Sequence, residues 1–184
     1  MEKVTGFSLA EATAILSRTP AALNVLLTGL PALWVRANEG ENTWSAFDIV
    51  GHLIFVERTQ WLQRVRTVLE NGEAQSFDPV DRFGHLRENR DKSLEQLLRD
   101  FTRFRSDNLT ALQSLNLQPG DLTRRGKHPA LGVVTLAELL ATWAVHDLNH
   151  LHQMSRVMAY QYGNAVGPWK AYMGVLHCTG HSVP

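Results

Sequence analysis

At 184 residues, 44% of them apolar, the chain can bury a full hydrophobic core, and its composition is neither that of a disordered nor of a fibrous protein. Its 18 Lys and Arg balance 18 Asp and Glu, so it lacks the basic surplus of a general nucleic-acid binder and leaves room only for a local basic patch.

In chain order, the helix starts announce themselves by capping patterns. In these a hydroxyl residue is followed three positions later by Glu, Gln or Asp, and each side chain satisfies a free backbone N–H of the other. Ser8/Glu11 opens a short N-terminal helix. Thr19-Pro20 reads as a cap with proline at the first helical position, opening a helix from Pro20 to about Leu30, which residues 8–18 extend if the proline is crossed. Ser45/Asp48 opens a long helix over 46–70, stopped by Asn71-Gly72. Ser93/Gln96 and Thr135/Glu138 open two more, over 94–115 and 136–162, and Tyr162-Gly163-Asn164 stops the last. Gly167-Pro168 starts a short C-terminal helix. The linkers "GEAQSFDPVDRFGH" and "NLQPGDLTRRGKHP" are polar and rich in turn formers. No segment alternates with period two over strand length; "ALGVVTL" at Ala130–Leu136 comes nearest and runs straight into a helix cap. The expected fold class is all-α, an up-down-up-down four-helix bundle with extra short terminal helices.

The last long helix contains "TWAVHDLNHLHQMSRVM", Thr142 to Met158, with three histidines inside a hydrophobic pattern. Residues three and four apart share a helix face, so Leu139, Trp143, His146, His150, Gln153 and Val157 form one ridge, and His146 and His150 turn toward the core. His152 falls on another face, at the surface or an interface. In the helix from Ser45, the ridge Asp48, His52, Phe55, Val56, Thr59, Gln63 places His52 among apolar neighbours as well. Three buried imidazoles need partners for three donors and three acceptors. A divalent metal taking one nitrogen from each ring resolves this, and three protein ligands make an open, catalytic type of site. The alternatives are hydrogen-bonded or solvated histidines, with His52 a satisfied core residue.

Cys178 is the single cysteine, which allows no intrachain disulfide and suits a reducing compartment. It reads as a passive thiol. No apolar run is long enough to span a bilayer, and "MEKVTGFSLAEAT" has no basic segment followed by an apolar core. The expected location is the cytoplasm.

These residues resemble the DinB/YfiT-like superfamily of helical metalloproteins. "RTPAALNVLLTGLPALW" resembles its opening helix, and "WSAFDIVGHLIFVERTQWLQRV" its first histidine helix. "HDLNHLHQMSRVM" resembles the HDxxHxxQ signature through His146, Asp147, His150 and Gln153, and "GPWKAYM" the family's tail. The resemblance runs from about Thr19 to Met173, the core of an expected single domain over 1–184. It implies a four-helix bundle with His52, His146 and His150 holding one divalent metal (nickel, zinc, manganese or iron). It also implies a homodimer and a small-molecule substrate, and places a thiol-dependent S-transferase or isomerase using a low-molecular-weight thiol first. A metal-dependent hydrolase comes second and a non-catalytic metal-binding stress protein third. Nucleic acid is not an expected partner. The nucleophile would be a metal-bound water or thiol, and imidazole ligands do not fix the metal.

Around the ligands, Asp48 and Gln153 lie one turn away, positioned to accept from an outer ring nitrogen, although Asp48 already completes a cap. Asp147 bonds either to a neighbouring helix or near the metal. Glu57 is expected in a buried ion pair with an arginine rather than as a base. Trp34, Trp44 and Trp169 read as core or dimer packing, the alternative being that one of them stacks on substrate. A thiol's carboxylates would need cations, the candidates being Arg58, Arg64, Arg66, Arg103, Arg105, Arg124, Arg125 and Lys127, with "RRGK" at Arg124–Lys127 bordering the site mouth. The helix from Ser45 is apolar nearly all round, as a helix buried by neighbours or by a second subunit would be.

Overall fold

A computed structural model describes residues 6–178; the remaining residues of the expected domain, including the first five of the stretch read for a signal, lie outside the described residues. The protein is a mostly helical four-helix bundle. Its elements are α1 (Leu9–Leu16), α2 (Thr19–Leu27), α3 (Ala32–Arg36), α4 (Ala46–Thr59), α5 (Trp61–Glu70), α6 (Gly84–Glu88) and α7 (Leu94–Ser114), followed by strands β1 (Arg125–His128) and β2 (Gly132–Thr135) and helix α8 (Leu136–Tyr160). Short 3₁₀ turns complete the chain, one of them at Gly167–Tyr172.

The starts follow the caps. Ser45/Asp48, Ser93/Gln96 and Thr135/Glu138 all form reciprocal capping boxes, and Ser8 accepts from Glu11 N. Thr19 departs from its expected role. It is the first residue of α2 with Arg18 as cap, because its hydroxyl donates instead to Asp147 Oδ2 at 2.6 Å. The segment expected as one helix over 46–70 breaks at Gln60 (φ −124°, ψ −65°). Just before the break, Thr59 Oγ1 donates to the Phe55 carbonyl, a back-bond of the kind that bends helices. Gly72 at φ +57° then ends α5.

"ALGVVTL" contributes β2, paired antiparallel with β1 from Arg125↔Thr135 to His128↔Gly132. Strands this short were below the length at which alternation is visible, and the pairing is stabilised from outside: Ser76 bridges to Lys127, and a Cβ on Gly126 would meet Val68 and Phe77 at 2.7 and 2.9 Å.

α4 lies at the centre, packed by α3, α6, α7 and α8. Its apolar circumference is therefore covered within the chain and carries no argument for a second subunit. One half of the core gathers Leu23, Leu27, Ile49, Leu97, Phe101 and Val157, the other Leu16, Val65, Leu112, Leu140 and Trp143. On α8 the histidines fall between Trp143 and Ala144 of one half and Met154 and Val157 of the other. No helix among the described residues is long and apolar enough to cross a membrane.

Candidate metal centre

His52 comes from the middle of α4, and His146 and His150 from successive turns of α8. Their ring nitrogens converge. His146 Nε2 lies 3.3 Å from His52 Nε2 and 3.1 Å from His150 Nε2, and all three ligand atoms lie within 4.8 Å of one another. His52 and His150 are buried and His146 is half-buried. His152 is exposed.

At His150 the hydrogen bonding turns a lone pair toward the centre. Gln153 Oε1 lies 2.8 Å from His150 Nδ1; an amide oxygen only accepts, so the proton sits on Nδ1 and Nε2 presents its lone pair. Burial, and then the neighbouring His150, His146 and His85, hold His52 far below the ordinary histidine range. His146 is also held well below it, first by burial and then by the charges of His150, Arg105 and Arg64. Burial lowers His150 too, opposed by Gln153 and Asp147. Three neutral imidazoles with ring nitrogens facing one another fit a divalent cation such as zinc, nickel or iron(II).

Asp48 and Asp147 make their hydrogen bonds elsewhere than to the outer nitrogens of the three histidines. Asp48 Oδ2 accepts from Ser45 N and Ser45 Oγ at 3.0 and 2.6 Å. Asp147, fully buried, receives Arg105 Nη1 and Nη2 at 2.5 and 2.9 Å besides Thr19. The Nδ1 atoms of His52 and His146 accordingly have no hydrogen-bond partner among the described residues. Glu57 pairs with Arg105 Nη2 at 2.8 Å and also accepts from Trp143 Nε1 and Asn108 Nδ2. With both oxygens engaged it is a structural anion. The network reaches the centre through rings: Trp143 stacks on Trp61 (5.7 Å, 9°), and Trp61 meets His146 edge-on at 5.1 Å.

A cavity of about 480 Å³ opens at the histidines, walled by Trp44, Pro79, Val80, Pro129 and Ala130. Trp44 lies tilted against His52 at 4.8 Å, so it is at once core and cavity wall. Trp34 packs edge-on against Tyr162, and Trp169 is 68% exposed. Of the eight cationic candidates only Arg64 lines the cavity. Arg58 pairs with Glu88, Arg103 with Asp100, Arg124 with Asp121 and Arg125 with Glu73. Arg66 and Lys127 are exposed. The mouth is bordered by the hairpin tip, His128 to Ala130, just beyond "RRGK".

Two features of the site lay beyond the sequence reading. Arg82 lines the cavity from the loop before α6. His85, with none of its surface exposed, packs edge-on against Trp44 (4.6 Å) and His52 (5.4 Å), with the Arg82 backbone as a polar neighbour. Its pKa is lowered to about 4, chiefly by burial and against the nearby Asp48. Gly84 makes this possible, because a Cβ there would stand 2.5 Å from the Phe55 ring and hold α6 off α4. A larger groove of about 770 Å³ runs between α1, α2 and α7, past Thr13, Asn24, Thr102 and Gln113, but its lining offers no histidine, cysteine or carboxylate.

The sequence matches the family model of the DinB superfamily over residues 15–154. No protein of curated function matches it significantly. Among solved structures, YfiT from Bacillus subtilis, described as a probable metal-dependent hydrolase with an unusual four-helix bundle topology, superposes with a TM-score of 0.70 at 16% identity, covering 89% of this chain and 94% of that one. TT2238, described as a four-helix bundle protein, gives 0.56 at 22% identity, covering 80% and 98%. At these identities the likeness is one of fold.

Proposed function

The chain belongs to the DinB superfamily, and from that premise we propose that it is a metal-dependent hydrolase whose metal is held by His52, His146 and His150. The observation that carries this is the convergence of three neutral imidazole nitrogens at the floor of an open cavity. A divalent metal held there supplies a Lewis acid that activates water and polarises a carbonyl or phosphoryl oxygen. The chain's own groups prepare the place for it. Gln153 fixes the His150 tautomer, Trp61 backs the His146 ring, and Trp44, Pro79 and Val80 form apolar walls that exclude bulk water from the bound substrate.

Protein purified without a histidine tag is expected to carry near-stoichiometric divalent metal by elemental analysis, and His146→Ala to carry almost none. Hydrolysis of an ester and amide panel should disappear with a chelator and return with metal. The thiol-dependent transfer that the resemblance placed first is separated by the same assay: turnover of an epoxide or chlorinated aromatic only with an added thiol would replace hydrolysis. Stoichiometric metal with no turnover in either arm would leave a non-catalytic binder. Unchanged metal content in His146→Ala would sink the ligand assignment.

The homodimer is likewise a proposal. Its support is now Val145 and Leu148, 62% and 48% exposed and three residues apart on α8, so on one face. Sedimentation at micromolar concentration should show a dimer that Val145→Glu dissociates; a monomeric parent would end the proposal.

A further inference from the structure

Arg64 has an uncommon position for an arginine. Its guanidinium borders the cavity, stands 5.3 Å over the Phe77 ring, and makes one long hydrogen bond, from Nη2 to the Asp78 carbonyl at 3.4 Å. Its Nε is buried without a partner among the described residues, and the charge that favours it is that of Asp78, with which it makes no ion pair among the described residues. Several other arginines, by contrast, do have carboxylates: Arg58, Arg87, Arg105, Arg124 and Arg125. On the far side of the cavity the Arg64 charge also helps to lower His128, after burial. Arg82, exposed at the mouth, adds a second guanidinium. The described residues lining this cavity include two arginines and four histidines but no carboxylate.

A half-buried guanidinium with unused donors is costly to keep without an anion to accept from it. We propose that Arg64 is the oxyanion anchor of this cavity, so that the substrate carries a carboxylate or phosphate group seated on Arg64. Its apolar body then lies along Trp44, Pro79 and Val80, and its reacting group reaches the histidines. The planar fork of Arg64 matches the two oxygens of such a group, and Arg82 draws the anion to the mouth. This rests on the proposed hydrolase for the histidine end only; the anion site itself needs no metal.

The test is calorimetric titration of the full chain, metal-free and zinc-loaded, with succinate, its neutral diamide and inorganic phosphate. Succinate or phosphate is expected to bind the metal-free protein at least about tenfold more tightly than the diamide, and Arg64→Gln to weaken that anion by roughly 10- to 100-fold, the range for loss of charge-assisted hydrogen bonds. Whichever anion binds more tightly names the oxyanion. Arg64→Lys keeps the charge but not the fork. It is expected to weaken binding several-fold and gives the reading if the glutamine variant does not fold. Equal affinity for anion and diamide, or anion binding unchanged in both variants, would overturn the proposal. The two readings fail separately. If the histidines bind no metal, zinc leaves the anion affinity alone while its dependence on Arg64 persists. If Arg64 is no anchor, zinc still binds stoichiometrically while the Arg64 variants match the parent.

Discussion

Arg105→Met is expected to destabilise the protein by about 3–5 kcal/mol, the cost of removing one partner from a buried ion cluster, and so to consume much of the 5–15 kcal/mol typical of a folded domain. Arg105 is 1% exposed and donates to the Leu16 carbonyl, Glu57 and both oxygens of Asp147. Burial alone would disfavour its charge, but Glu57 and Asp147 more than offset this and hold its pKa above the ordinary value. Without the guanidinium, two carboxylates remain in the core with Thr19, Asn108 and Trp143 as donors among the described residues. They must either take up protons or draw in water. Neutralising them should therefore restore stability: Arg105→Met with Glu57→Gln and Asp147→Asn can keep the bonds from Thr19, Asn108 and Trp143 and removes the uncompensated charge. Thermal and urea denaturation followed by circular dichroism would check both variants. A single Arg105→Met as stable as the parent would show that the cluster does not hold the bundle together. Because Asp147 adjoins His146 in sequence and Trp143 backs it through Trp61, metal affinity should fall in the single variant and recover in the triple.

What was legible in the sequence was what local chemistry decides. Ser45/Asp48, Ser93/Gln96 and Thr135/Glu138 need only each other to cap a helix. His146 and His150 share a face because four residues make about one turn, and Gln153 meets His150 for the same reason. Glu57 could be read as half of an ion pair because a carboxylate on a helix buried all round needs a cation. Its partner could not, because Arg105 lies 48 residues away on α7. Thr19 misled for a tertiary reason: a distant carboxylate, Asp147, took the hydroxyl that a cap would have used. His85 left no signal at all. It ends the linker "GEAQSFDPVDRFGH", which has no periodicity, and the approach of Gly84 to Phe55 carries it to His52. Arg64 and Arg82 could be counted as cations, but which cation lacks a carboxylate is a property of the folded packing.

The clustered histidines make a further prediction, of metal binding that hardly changes over mildly acidic pH. In the unfolded chain a histidine takes up its proton near pH 6.5. In the fold, burial holds His52, His146 and His150 below that value, and their mutual repulsion adds to the effect for His52 and His146. A cation binding at these rings therefore displaces few protons between pH 7.5 and 6. Three independent histidines of ordinary pKa would lose roughly fiftyfold in apparent affinity over that interval, because each must be neutral to bind. Here the loss in zinc affinity is expected to fall well short of that, measured by competition with a chromophoric chelator corrected for its own protonation. The same shifts destabilise the metal-free fold in acid. Below about pH 6.5 the unfolded state binds protons that the folded rings do not, so stability is full above that pH and falls as pH drops, by about 1.4 kcal/mol per pH unit for each such ring. His85, lowered to about 4, contributes to this slope from about pH 6.5 down to its folded pKa. His85→Phe should therefore make the metal-free slope shallower by about one proton while leaving the pH dependence of zinc affinity unchanged. A fiftyfold loss of zinc affinity between pH 7.5 and 6, or a metal-free stability that is flat from pH 7 to 5, would show that the rings are not held neutral by the fold.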